Sequence, residues 1–281
     1  MLYKYLAVSF LFLFSSYALG QSEEINNPLA FYADVMSNAS VAEHRSYASK
    51  MFSNLITERL NTADSFEDGL EDLPWVFVRY DDERKFRFIS WQVEENDEEF
   101  KYAVFYQSNN GELSKLGNEN IDLDRRARYV GSDIYPTIIH SIDSFEDYYL
   151  ISAYRQLPQG KVQKIIDVLT FEENKPVLGK SIFYENEQVL SGRGHKRVIL
   201  NYSSVAAASL NMNLEAEEKS IVYDHIIDVP GKLDGEGMVS VPDGTYEAYI
   251  HKGKDKWVYV SNLYEGLEYN PKTSSPPTER N

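Results

Sequence analysis

Hydrophobic positions follow two different periods along this chain. From residue 38 to 61, Tyr47, Met51, Phe52, Leu55, Ile56 and Leu60 recur three and four apart. That spacing makes one apolar stripe and predicts a helix, with Asn38 or Ser40 placed to cap its start. A short second helix is expected from Ser65, with Asp68 three residues on as a capping-box partner and Pro74 beyond its end. After Pro74 the period falls to two. Residues 75–80, 85–93 and 100–107 predict successive strands, joined by a tight polar connection at 81–84 and followed by the Asn109-Asn110-Gly111 turn signal. Tyr102, Ala103, Val104, Phe105 and Tyr106 are apolar without a break, so both faces of that strand are expected to be covered. Residues 117–129 are polar and predict a loop.

The second half repeats the style. Strands are expected at 148–154, 162–171, 177–184, 197–203, 209–214, 220–227, 245–251 and 256–261, with Gly253-Lys254-Asp255 closing a final hairpin. Ala208, Leu210, Met212 and Leu214 alternate with polar neighbours, which predicts one dry and one wet face. Short strands joined by short turns require antiparallel pairing, because parallel pairs need long crossovers. The expected fold is therefore mainly β (α+β). It is an antiparallel β-meander forming a barrel, sandwich or partial propeller, with one or two N-terminal helices packed on it. No exact internal repeat is present, which argues against a regular propeller. The expected organisation is a helical segment at 21–73, a β domain at 74–266, and a disordered tail at 267–281, where Pro271, Pro276 and Pro277 lie among polar residues.

The first twenty residues have the layout of a cleavable secretory signal. Lys4 supplies the positive region, residues 5–14 the apolar run, and Ala18-Leu19-Gly20 the small residues before the expected cleavage after Gly20. The apolar run is half the roughly 20 residues that a membrane span needs, and no later stretch approaches that length. The mature protein is thus expected to be exported, periplasmic or secreted. With no cysteine in the chain, a bacterial lipid anchor at the cleavage site and disulfide staples are both excluded.

Charge narrows the partners. Lys and Arg number 28 against 44 Asp and Glu, a formal charge of −16, which disfavours nucleic acid and anionic lipid alike. The 21 Tyr, 14 Phe and 3 Trp point to a sheet-rich fold.

Candidate chemistry is sparse. Asp224 and His225 are adjacent and of the types used for acid–base catalysis, but neighbours on a strand point to opposite faces. His225 is expected to share a face with Ile221 and Tyr223. His44, His140, His195 and His251 lack metal-ligand spacing, and no Gly-x-Ser-x-Gly elbow is present. No metal or cofactor is expected. Acidic runs at 64–72 and 94–99 lack the order of a calcium loop. The segment from Ser191 to Arg197 is glycine-rich and basic, which suits an anion held by backbone N–H groups and Arg193, with His195 beside it.

The region from residue 75 to 257 resembles a family of uncharacterised, β-rich exported proteins of Bacteroidota. The resemblance rests on Lys85-Phe86-Arg87-Phe88-Ile89-Ser90-Trp91, Lys164-Ile165-Ile166-Asp167-Val168-Leu169-Thr170-Phe171, Lys175-Pro176-Val177-Leu178-Gly179, His195-Lys196-Arg197-Val198-Ile199-Leu200-Asn201-Tyr202-Ser203, Ile221-Val222-Tyr223-Asp224-His225 and Pro242-Asp243-Gly244-Thr245-Tyr246-Glu247-Ala248-Tyr249. It implies an envelope or secreted location. The chain departs from that pattern at Ala153-Tyr154-Arg155-Gln156, where the family has a Gly-Trp-Asp-Gly-Asn turn.

These observations favour a non-enzymatic envelope module that binds a protein partner or a glycan. Trp91, Tyr223, Tyr246, Tyr249 and Trp257 are the candidate aromatic contacts, and Arg193 and His195 the candidate polar ones. A hydrolase of envelope polysaccharide or peptide, built on His225 and scattered carboxylates, is the alternative. A third reading is a structural subunit that docks through the helical stripe from Tyr47 to Leu60.

Overall fold

The computed structural model describes residues 27–73, 75–96, 99–116, 129–130, 137–187, 194–232 and 237–263. The expected signal peptide, the tail and Arg193 lie outside the described residues. The chain is mainly β and divides into two compact units, Met1–Ile121 with Tyr135–His140, and Asp122–Ile134 with Ser141–Asn281.

In the first unit, α1 (Pro28–Asn38) and α2 (Ala42–Leu60) pack on a four-stranded sheet ordered β1 (Phe77–Tyr80), β2 (Phe86–Asn96), β3 (Glu99–Ser108) and β4 (Leu113–Leu116). The α1 helix was not expected from the sequence. It starts at a proline in its first turn, with Asn27 Oδ1 accepting the Ala30 N–H at 3.1 Å. Its buried stripe is only Leu29, Ala33 and Met36, too short to stand out as periodicity. The α2 helix begins at Val41 without a side-chain cap, rather than at Asn38 or Ser40. The expected second helix is a single 3-10 turn, Ser65–Glu67. Asp68 does not cap it; its carboxylate is bound by Arg59 Nε at 2.6 Å.

Phe52, Ile56 and Leu60 are buried against Ile89, Trp91, Val93 and Phe105. The Phe52–Leu60 part of the stripe is therefore consumed by the protein's own sheet, which removes it as a docking surface, while Tyr47 at the other end stays exposed. Phe88, Val104 and Tyr106 on the opposite face are buried too, as the unbroken apolar run predicted. Arg87 is fully buried beside the end of α2. Its guanidinium donates to Gln107 Oε1 (2.8 Å), Tyr80 Oη (2.7 Å) and the Ser65 carbonyl (2.6 Å). Gln107 in turn donates to the Leu60 carbonyl at 3.0 Å, one of the acceptors a helix end leaves open.

The second unit is a sandwich. One sheet is ordered β5 (Tyr129–Val130), β9 (Lys175–Leu178), β8 (Lys161–Glu172), β7 (Tyr148–Leu157) and β6 (Ile138–Phe145, in this unit from Ser141 on), with β11 (Arg197–Ser203) also on β8. The other is ordered β10 (Phe183–Tyr184), β15 (Trp257–Val260), β14 (Met238–His251), β13 (Ser220–Pro230) and β12 (Leu210–Asn213). Pairing is antiparallel except for the two-residue β10–β15 contact. Leu150, Val162, Ile166, Val168, Val198 and Leu200 of the first sheet meet Ile221, Tyr223, Tyr249 and Trp257 of the second in one core. This is the sandwich among the architectures expected, with no closed barrel. Among the described residues no helix is long and apolar enough to cross a membrane.

Candidate functional site

A cleft of the second unit, roughly 670 Å³, opens where β13, β14 and β15 face β11. Its geometry comes from a break in register. Asp224 pairs with Tyr246 and Ile226 with Pro242, so Asp243, Gly244 and Thr245 all lie opposite His225 alone. This bulge bends β14 and re-aims its side chains. Gly244 takes a φ of 90°, a left-handed conformation that suits glycine. Asp243 Oδ1 accepts the Thr245 N–H (2.9 Å) and hydroxyl (2.7 Å), while Oδ2 lies 2.9 Å from His225 Nδ1. The Thr245 donors, with His225, push the Asp243 carboxyl down to about 2.

On the other side of the imidazole, His225 Nε2 is 3.9 Å from Glu247 Oε1. Glu247 sits opposite Tyr223 in the ladder and accepts a 2.7 Å hydrogen bond from the Tyr259 hydroxyl. Burial raises the pKa of both Tyr223 and Tyr259 above the ordinary phenol value, so both hydroxyls stay protonated as donors. Tyr223 and Tyr249 stack with ring centroids 6.3 Å apart. Across the cleft, His195 Nε2 is 2.9 Å from Glu185 Oε1, and Ser240 Oγ donates to Asp228 Oδ1 at 2.7 Å. Among the described residues, Asn186 and Asn201 complete a lining that holds four carboxylates and no lysine or arginine.

The structure sorts the candidates taken from the sequence. His225 lines the cleft together with Tyr223, at the point where the register of β13 and β14 breaks. Asp224 is not its partner: the carboxylate accepts the Ser209 N–H and hydroxyl, which ties the approach to β12 onto β13. The carboxylate that reaches His225 is Asp243, eighteen positions on. His195 lines the cleft with Glu185 as its partner, and residues 191–193 of the expected anion loop lie outside the described residues. Trp91 and Trp257 are not surface contacts. Trp91 is packed between Phe52 and Phe105, and Trp257 is fully buried, with Nε1 donating to Tyr148 Oη at 2.9 Å.

Asp243, Glu247 and Tyr259 were not singled out from the sequence. The one available signal was Pro242-Asp243-Gly244-Thr245, which reads as a turn but marks a bulge when strand pattern continues on both sides. Among the described residues no group of three or more His, Asp or Glu is placed to hold a metal ion. Comparison with family models, curated proteins and solved structures finds no match.

Proposed function

We propose that the chain is an exported cell-envelope protein that binds a glycan in the cleft of its second unit. The observation that carries this reading is the polar series along the cleft: Tyr259 hydrogen-bonds Glu247, Glu247 lies 3.9 Å from His225, and His225 contacts Asp243 at 2.9 Å. Glu247 and Tyr259 are only partly exposed, and polar groups held out of water are costly unless they have partners to satisfy. Carboxylates and asparagines accept, phenol and serine hydroxyls donate, and sugar hydroxyls do both. The absence of lysine and arginine from the lining disfavours a polyanionic ligand. Export rests on the signal-peptide layout and the resemblance to exported proteins.

Titration of the mature chain with a panel of neutral oligosaccharides tests the proposal. Saturable binding that Glu247→Gln weakens at least tenfold, with unchanged unfolding, is the expected result. Binding to none of the panel, or binding indifferent to Glu247→Gln and Tyr259→Phe, overturns it.

The Asp243–His225 contact favours one second reading, hydrolysis. There Asp243 holds the imidazole with Nε2 toward the cleft, and Nε2 takes a proton from an attacking water. Release of reducing ends that disappears in His225→Gln supports it. Binding without turnover removes it.

A further inference from the structure

The first unit carries a cleft of opposite character. Ser46, Ser49, Lys50 and Ser53 recur three and four apart, so they share one side of α2 and form one wall of a cleft of about 420 Å³. The opposite wall is built by β3 and β4, which supply Lys101 and Lys115. Three lysines thus line one cleft in a chain whose formal charge is −16.

The lining is rich in donors. Lys115 Nζ donates to Ser53 Oγ at 3.1 Å. Lys101 is held 2.6 Å from Glu95, the single carboxylate in the lining. Among the described residues Lys50 meets no carboxylate. A second, independent observation comes from Trp91, which lines the same cleft. Its side chain is 1% exposed, and its indole N–H is buried without a hydrogen-bond partner. A buried donor left unpaired is costly and is normally satisfied by an acceptor. Every feature missing here is an acceptor with negative charge.

We propose that this cleft binds a phosphate or sulfate group. The ammonium groups of Lys50, Lys101 and Lys115 neutralise it, the Ser49 and Ser53 hydroxyls donate to its oxygens, and the Trp91 N–H faces the acceptor it otherwise lacks. The proposal is independent of the glycan reading, since the two clefts belong to separate units and one is lined by carboxylates, the other by lysines.

The chain contains 3 Trp, so its indole N–H resonances form a small, resolvable set in a ¹⁵N correlation spectrum. Trp75 is exposed and is assigned by Trp75→Phe, while Trp257, in the second unit, serves as the internal control. At constant ionic strength, sodium phosphate or sodium sulfate is expected to move the Trp91 indole peak saturably and leave the Trp257 peak still. Lys50→Gln, an exposed change, is expected to raise the midpoint about tenfold. A shift with the free ions identifies a free oxyanion as sufficient. A shift seen only with a sulfated disaccharide or a sugar phosphate places the anionic group on a saccharide. A Trp91 peak that moves with none of them overturns the proposal, as does a midpoint unchanged in both Lys50→Gln and Lys115→Gln.

Discussion

Arg197 and Asp167 stand directly opposite each other across the β8–β11 pair, with Nε 2.6 Å from Oδ2 and both side chains wholly out of solvent. Burial pushes the Asp167 carboxyl upward, against the pull of Arg197 and the Val168 N–H that hold its charge. Removing one partner leaves the other charged and unsolvated. Arg197→Ala is therefore expected to destabilise the protein by roughly 3–5 kcal/mol. Arg197→Met combined with Asp167→Leu is expected to recover most of that loss, because two apolar side chains need no compensation. Urea unfolding of the single and double variants checks both statements.

Arg87 presents the contrasting case of a buried guanidinium held mainly by neutral acceptors. Burial lowers its pKa from the ordinary value, yet it links the 3-10 turn, Tyr80 and Gln107. Arg87→Ala is expected to cost about 3 kcal/mol or more, since it strands several buried acceptors at once. Arg87→Lys is expected to rescue little, because one ammonium cannot span the planar fan of acceptors. Hydrogen exchange at the end of α2, after Leu60 loses its fixed partner in Gln107, reports the loss locally.

Stability should fall in acid in two stages. His251 lies between Phe145 and Trp257, at 5.0 and 5.1 Å, and burial lowers its pKa below the usual 6.5. A depressed folded pKa means that the fold favours the neutral ring. This contribution is complete above about pH 6.5 and is lost as pH falls through the lower folded value. Asp68 and Asp72, held down by Arg59, and Asp243, at about 2, act in the same sense lower down. Their contribution is full above about pH 4 and is lost toward pH 2. Melting temperatures followed from pH 7.5 to 2 should show both stages, with the upper one reduced in His251→Phe.

The bulge at Gly244 gives a prediction about geometry. No atom lies within 4 Å of where a β-carbon would stand, so Gly244→Val meets backbone strain rather than a clash. The expected cost is about 1–2 kcal/mol. Relaxation of the turn should release Asp243 from Thr245 and His225. An NMR titration then finds the Asp243 carboxyl moving from about 2 toward the ordinary carboxylate range.

Most strands were legible because one-sided burial forces alternation, and Leu210 and Met212 against Asn211 and Asn213 show it directly. The β6 strand was missed. Ile138, Ile139, Ile142 and Phe145 are its buried residues, and their spacing is not a clean period of two. Trp91 and Trp257 misled for a related reason. Composition announces an aromatic excess but not which rings the core consumes.

What the sequence determined by itself was local: the helix stripe, the period-two runs, and the antiparallel logic of short turns. Each follows from backbone geometry that neighbours along the chain impose on one another. The tertiary structure alone decided the partnerships. Asp224 went to Ser209, and Asp243 came to His225 through a register slip. Glu247 found Tyr259 across a ladder, and the lysines of α2, β3 and β4 met around Trp91. These pairings depend on strand register and on sheet packing, which join residues far apart in the chain and leave no periodic trace in it.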